Sequence, residues 1–404
     1  MVFFEFLVAA LLGILAGIFT GLTPGIHVNL VSLLVVSSSA YLLDIFSFYS
    51  MGVFIISMAI AHTFLDILPA IFLGAPNEST ALGVLPGHKL LLQGMGYEAV
   101  KLTVIGSLSS LVLAILMFPL LILTFPFIYN EIKPYIGFIL IAVVVYMIFI
   151  EKGTEKKFWS FLVFLVSGIL GIITLTMPNL KQPLFPLLSG LFGLSMLILS
   201  LWQKVEIPKQ RITENITFSK FEKAKSIFAG TFSGSIVSLF PGMGPAQAAV
   251  IGSTVFGSVG AYSFLILIGS IGTVDMVTSL VSFYTLDRAR NGAIFAVREL
   301  LGQIDLNTLL LFIGTALFAG GIATFLVLYL ARIFAKLIEK VNYSLLALSV
   351  IILITALVFY FSSWIGLLVL AVSTAIGIIP NVVNVKRSHS MGCLMLPVIL
   401  FFML

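Results

Sequence analysis

The chain has 404 residues, 60% of them hydrophobic and 9% charged, with a mean hydropathy of +1.21. Soluble domains carry about a quarter charged residues, so this composition excludes a soluble protein and marks a polytopic membrane protein. The single cysteine, Cys393, excludes an internal disulfide and a thiolate metal cluster. The net charge of +5 sits in loops between apolar runs, where it sets orientation in a bilayer, and nucleic acid is not expected as a partner.

A helix needs about 20 apolar residues to cross a bilayer. The first run, residues 2–19, holds Glu5 but neither a basic leader nor a small-residue cleavage site, so it is expected to be retained as a span. It ends at a break, Thr23-Pro24-Gly25, within GLTPGIHVN. Residues 26–42 are apolar and Ser-rich, enough for half-helices that enter and return. Residues 49–75 are apolar but interrupted by His62, Asp66 and Pro69, and Asp44 before them is expected to cap a helix at the membrane edge. An amphipathic loop, GAPNESTALGVLPGHKLLLQGMGYEAVK, follows at 74–101, then runs at 102–128, 136–150, 158–177 and 184–202. Lys152, Lys156 and Lys157 put the 151–157 connection in the cytoplasm, together with the basic segment 203–226, and parity places the 74–101 loop with them.

Residues 203–226 are read as a cytoplasmic, solvated linker between a first repeat, 1–202, and a second, 227–404. The linker's end, FSKFEKAKS, is expected to lie on the membrane surface, and Asn215-Ile-Thr217 is a chance match to the glycosylation sequon. The second half repeats the plan. Residues 227–240 run into a second break, Phe240-Pro241-Gly242, in LFPGMGPAQ; residues 246–260 are rich in small residues, and 262–286 are apolar except for Asp275. The polar loop DRARNGAIFAVRELLGQID precedes runs at 306–334, 344–361, 363–379 and 394–404. Parity puts residues 287–305 outside and Lys336, Lys340, Lys386 and Arg387 inside, so the expected fold is an all-α polytopic membrane protein. It has two inverted-topology repeats with broken or re-entrant helical hairpins and about 10–12 membrane segments. Arg288, Arg290 and Arg298 then lie outside against the usual bias, which a functional loop buried in the protein would tolerate.

Pro24 and Pro241 stand 217 positions apart. Each Pro-Gly pair should unwind the chain, because proline removes a donor and clashes with the preceding turn while glycine opens further backbone angles. Unwound backbone at membrane depth is tolerated where it lines a wet cavity. Its carbonyls can coordinate a cation, and the half-helix beyond it can hold an anion at its N-terminus. Asp66 and Asp275 each follow a broken hairpin, and a carboxylate at depth marks an ion path or pairs with a cation. His62 shares a helix face with Asp66 as a proton-relay pair or a structural hydrogen bond. His27, His62 and His88 near Asp66 and Glu78 could also hold a divalent metal, but no pair has the spacing of a zinc motif, and nothing fixes a base beside a serine in GAPNEST.

GLTPGIHVN, then FLGAPNESTALGVLPGHKLLLQGMGYEAVKLTVIGS, then FPGMGPAQAA resemble the large membrane subunit of the tripartite tricarboxylate transporters, the TctA-type permeases. Pro24, Gly25, Gly74, Pro76, Ser79, Gly87, Gly94, Gly106 and Ser107 fall on that pattern in the first half, and Pro241, Gly242, Gly244 and Pro245 in the second. The chain departs from it where TLDRARNGA replaces a Gly-x-Pro-Gly loop and where HVN follows the first break. The resemblance implies a carboxylate substrate, a small membrane subunit and an extracytoplasmic binding protein.

The expected function is a secondary transporter that moves a small organic anion across the cytoplasmic membrane on a proton or sodium gradient. Thr23, Pro24, Gly25, His27, Asn29, Asn77, Glu78, Ser79, Thr80, Pro241, Gly242, Gly244 and Gln247 would bind the solute, and Asp66, Asp275 and His62 would couple the ion. No cofactor beyond that ion and no bound metal is expected, and a homodimer is compatible with the plan. The alternatives are a flippase or scramblase for an anionic lipid, which would bring Lys89 or Arg288 to a lateral opening, and a metal-dependent intramembrane enzyme.

Overall fold

The computed structural model describes all residues except 1, 25, 27, 76–79, 181, 203–206, 214–215, 240–243, 258–259 and 341, and excludes the side chains of 2, 85 and 343. Among the described residues every regular element is helical, and nine helices are long and apolar enough to cross a membrane. The protein is a multi-pass membrane protein.

The chain opens with α1 (Val2–Leu22), α2 (Val28–Ser37), α3 (Ser39–Leu42) and α4 (Phe48–Leu65). Asp44 lies in the turn between α3 and α4. Helices α1 and α4 run parallel at close range. A methyl group on Gly13 would stand 2.4 Å from the Phe54 carbonyl oxygen, one on Gly17 2.6 Å from Ala61 Cβ, and one on Gly21 2.8 Å from Leu65 Cβ. Lipid gives helices no hydrophobic reason to associate, so small residues at four-residue spacing, which bring backbones together, supply the packing. At the far end Glu5 Oε1 accepts from Ser47 N at 2.7 Å and from the Ser50 hydroxyl at 2.6 Å. Beyond Leu65 the α4 rod continues through a π-helical turn, Pro69–Leu73. Because Gly21 meets Leu65, the first break lies within the depth of that rod and not at its end.

Next come α5 (Val84–Leu91), α6 (Gly96–Leu116), α7 (Phe118–Ile132), α8 (Ile136–Phe149), α9 (Thr154–Thr176), α10 (Leu184–Leu188) and α11 (Ser195–Trp202), the last two joined by a π-helical turn, Ser189–Leu194. The apolar run 102–128 is thus divided at Met117, where Pro119 lacks the amide that would continue α6. The segment after α11 differs from the solvated linker expected. Gln210 is buried; its amide nitrogen donates to Leu91 O at 3.0 Å, its side-chain oxygen accepts from Gly96 N at 2.9 Å, and its backbone donates to Glu339 at 2.7 Å. Arg211 adds an ion pair with Glu98 at 3.1 Å.

The second half contains α12 (Lys220–Val237), α13 (Pro245–Val255), α14 (Ala261–Leu286), α15 (Gly292–Leu301), α16 (Leu306–Ile338), α17 (Tyr343–Val382) and α18 (Gly392–Met403). FSKFEKAKS, expected at the membrane surface, supplies the first turns of α12, which Ser219 caps and which runs unbroken to Val237. Within α17, Ser363 takes a φ of 56° and joins two helices across a kink.

One set of glycine contacts recurs in both halves. The shift of 217 that carries Pro24 onto Pro241 also carries Gly13 onto Gly230 and Gly17 onto Gly234. Those glycines seat α12 on α14 as their counterparts seat α1 on α4: a methyl on Gly230 would lie 2.4 Å from Ser270 Cβ, and one on Gly234 3.2 Å from Val274 Cβ. Each half also lends a helix to the other. Gly106 of α6 faces Ile266 and Ser270 of α14, and Gly269 faces Thr103, each glycine meeting a carbonyl where a methyl would stand at 2.1 Å. Gly52 of α4 faces Phe312 of α16, and Gly320 of α16 faces Ile60. Glu98 near the start of α6 accepts from the Tyr262 hydroxyl near the start of α14 while Gly106 meets Ile266 and Ser270 further along, so α6 is parallel to α14; the pairs Gly52 with Phe312 and Ile60 with Gly320 likewise make α16 parallel to α4. The contacts of Leu111 with Gly320 and Tyr97 with Arg332 make α6 antiparallel to α16, so α4 and α14 run in opposite directions. Around this core, α9 packs on α18 through Gly168 and Gly171, and α17 meets the 189–194 turn through Gly377 against Leu191 O.

Candidate functional site

A cavity of about 260 Å³ lies at the middle of the core, between α2, α4, α13, α14 and α15. That is just below the roughly 300–1,000 Å³ typical of ligand pockets, so it suits a small solute. Its walls include Asn29, His62, Thr63, Gly244, Pro245, Asp275, Arg290, Asn291 and Gly292. Among the described residues three helix N-termini meet there. Val28 and Asn29 open α2, Gly244 and Pro245 open α13, and Asn291 and Gly292 open α15. The first amides of a helix have no intrahelical acceptor and carry its positive dipole end, so the three together make a field that favours an anion.

Local sequence explains each start. Proline at the first position of α13 lacks an amide that would be unsatisfied there anyway. Gln247, buried one turn in, accepts from Gly244 N at 2.9 Å and fixes the entry to that helix. Asn291 caps α15 by accepting from Ile294 N at 2.9 Å. Gly292 leaves room for Asn29: a methyl there would stand 2.4 Å from Asn29 Cγ, so the hairpin of one half is seated on the loop of the other.

His62 and Asp275 are counterparts across the two halves. The contacts of Gly13 and Gly17 with Phe54, Ser57, Met58 and Ala61 match those of Gly230 and Gly234 with Leu267, Ser270, Ile271 and Val274, a shift of 213 that also carries His62 onto Asp275. His62 Nδ1 lies 3.1 Å from Thr20 Oγ1, and its Nε2 lies 4.0 Å from Asp66. Thr63 Oγ1, one residue on, lies 3.4 Å from Thr273 Oγ1 and ties α4 to α14 beside the cavity.

Of the residues singled out from sequence, the structure gathers Asn29, His62, Gly244 and Asp275 around one space. Asp66 is buried one turn beyond His62 and does not line it. Thr80 starts the turn into α5, Thr23 and Pro24 end the α1 limb, and Gln247 acts through Gly244; none of these reaches the cavity wall. Gly25, His27, Asn77, Glu78, Ser79, Pro241 and Gly242 lie outside the described residues. Arg290, Asn291 and Thr63 were not selected from sequence. Asn291-Gly292 ahead of an apolar run was the available signal, a cap followed by a small residue. It fell in TLDRARNGA, the stretch that departs from the family pattern.

Arg290 is the cation of this wall. Its Nε and Nη2 are buried and have no protein hydrogen-bond partner, and its guanidinium lies 5.5 Å from the Tyr129 ring. Burial lowers its pKa and Tyr129 opposes the shift, but a guanidinium keeps its proton in a protein. Arg288 stacks on the same ring at 4.5 Å and does not line this cavity. Among the described residues no three His, Cys, Asp or Glu side chains gather as metal ligands; His88 Nδ1 instead lies 3.1 Å from the Ile71 carbonyl.

An uncharacterized protein of Methanocaldococcus jannaschii is 33% identical over 404 residues, covering 97% of this chain and 98% of its own. No solved structure matches the chain. The profile of the tripartite tricarboxylate transporter TctA family matches residues 7–392, and with the relative at that identity over nearly the whole length, the chain belongs to that transporter family.

Proposed function

We propose that this chain is a secondary transporter for a small carboxylate-like anion, bound in the central cavity and driven by a proton or sodium gradient. The observation that carries the reading is the meeting of three helix N-termini with Arg290 around one small space. A carboxylate there would receive backbone amides from α2, α13 and α15 and a forked donor from Arg290, the combination that favours anions most strongly. Asp275 on the same wall is the coupling group, and His62, at the matching place in the other half, shares the role with Asp66 behind it. Opposed directions of α4 and α14 support inverted repeats, in which the solute site falls between halves that alternate access. Membership in a tripartite family supports a small membrane subunit and an extracytoplasmic binding protein as further components.

The test is uptake of radiolabelled citrate into proteoliposomes holding the purified chain, with a proton or a sodium gradient imposed separately. One gradient should accelerate uptake in the wild type. Asp275→Asn should keep citrate binding but lose the response to that gradient. Uptake indifferent to both gradients, or an unchanged response in Asp275→Asn, would sink the coupling assignment, and absence of citrate binding to the wild type would sink the substrate class.

A further inference from the structure

A second and larger cavity, of about 440 Å³, lies where the loops before α5, after α8 and before α18 come together. Lys89, Lys386, Arg387 and His389 line it, and no carboxylate appears among its described lining residues. Glu151, the acid beside it, faces His389 at 3.2 Å. Arg387 is 6% exposed and donates through Nη2 to Leu191 O at 2.9 Å and to the Ser195 hydroxyl at 2.6 Å, while its buried Nε has no protein partner. A buried guanidinium with an unused donor beside a space holding two further lysines is a built anion site, since an uncompensated cation there is costly.

The rest of the wall says which kind of anion. Most of it is apolar, and its outer side is formed by Tyr146 of α8 and Ile150 just beyond that helix, which are 48% and 44% exposed on the surface where a membrane protein meets lipid. The cavity therefore joins a cationic interior to an apolar lateral mouth. Its position at the helix ends matches the headgroup level of a bilayer, where anionic lipids are drawn to clustered lysines. We infer that this cavity holds the phosphate-bearing headgroup of an anionic phospholipid, with the acyl chains lying along α8. The bound lipid bridges α5, α13 and α14 of the core to α8 and the 387–391 turn of the flanking helices, so it braces one layer against the other. The inference uses none of the residues of the transport site.

Native mass spectrometry of the delipidated full chain, titrated with phosphatidylglycerol or phosphatidylcholine, tests it. Arg387 also holds the 189–194 turn, so the variant is Lys89→Gln/Lys386→Gln, both side chains being exposed. At about 1 kcal/mol for each lysine near an anionic headgroup, the double variant should bind phosphatidylglycerol about 30-fold more weakly. Phosphatidylcholine binding should not change, and Lys336→Gln/Lys340→Gln should leave both lipids within about threefold of wild type. Equal loss in the two double variants, unaltered phosphatidylglycerol binding in the first, or displacement of the lipid by millimolar inorganic phosphate would each overturn it, the last by pointing to a free anion.

Discussion

Replacing Arg290 by glutamine removes the one full positive charge on the described wall of the central cavity while keeping a donor of similar reach. A hydrogen bond to a charged partner contributes about 1.5–3 kcal/mol, so the loss should weaken binding of a carboxylate by about 10- to 150-fold. The three helix N-termini remain, each contributing about 0.3–1 kcal/mol, so binding should fall without vanishing. Isothermal titration of the purified protein with citrate at neutral pH and low salt reads the change directly. Arg290→Lys keeps the charge but not the fork and should fall between wild type and glutamine. Arg288→Gln is the internal control, since Arg288 stacks on the same Tyr129 ring but stands outside the cavity, and it should cost less than about threefold. If Arg290→Gln left affinity within about threefold of wild type, or if Arg288→Gln cost as much, the anion site would lie elsewhere.

Further outcomes follow from other contacts. Gly292→Ala should displace Asn29 and reduce citrate affinity with little change in melting temperature. Combined with Asn29→Ala it should be non-additive by about 0.5–3 kcal/mol in a double-mutant cycle, and simple additivity would argue that Asn29 and Gly292 act independently. Gly106→Ala drives a methyl against the Ile266 carbonyl and should destabilise by about 1–3 kcal/mol in detergent. Gly314→Ala, with nothing within 4 Å, should instead stabilise the helix by up to about 1 kcal/mol, and equal losses would refute the packing argument. Hydrogen bonds from the Thr308 hydroxyl and amide hold Asp305 at the start of α16 below the usual carboxylate pKa. A carboxylate with a depressed folded pKa stabilises above its unfolded value, about 3.9, and the gain disappears as pH falls through the folded one. The stability gap between wild type and Asp305→Ala should therefore be full at neutral pH and shrink on strong acidification; a gap independent of pH would show that the cap does not depend on the charge.

The sequence could be read furthest where one principle acted alone. Composition and run length place the helices, and the Pro-Gly pairs stand where the described ends of α1 and α2, and of α12 and α13, fall on either side, Gly25 and the second pair themselves lying outside the described residues. The spacing of Gly13, Gly17 and Gly21 was equally visible, yet its meaning depends on α4, which no local pattern identifies as the partner. Arg290 escaped for a similar reason. On the chain it is one of three arginines in a polar loop, and only the fold separates it from Arg288: both stand over the Tyr129 ring, and Arg290 alone of the two lines the cavity. Asp66 was legible in part: its spacing gives the pair with His62, whose side chains stand 4.0 Å apart, but only the fold shows that the rod carries Asp66 one turn past the cavity, behind His62. Gln210 and Arg211 read as solvated linker because their partners, Leu91, Gly96, Glu98 and Glu339, lie more than a hundred residues away.

The exchange of α6 and α16 between the halves also bears on how the protein is made. Gly52 of α4 finds its neighbour Phe312 only after another 260 residues have been synthesised. At about 5–20 residues per second this is a wait of about 13–50 s, during which the first hairpin and its rod sit in the bilayer with an open flank. The glycine seam between α1 and α4 closes almost at once and gives the early chain a stable unit that can wait. The halves interlock like clasped hands, so neither is a finished domain, and the last helices to emerge complete the walls of the first.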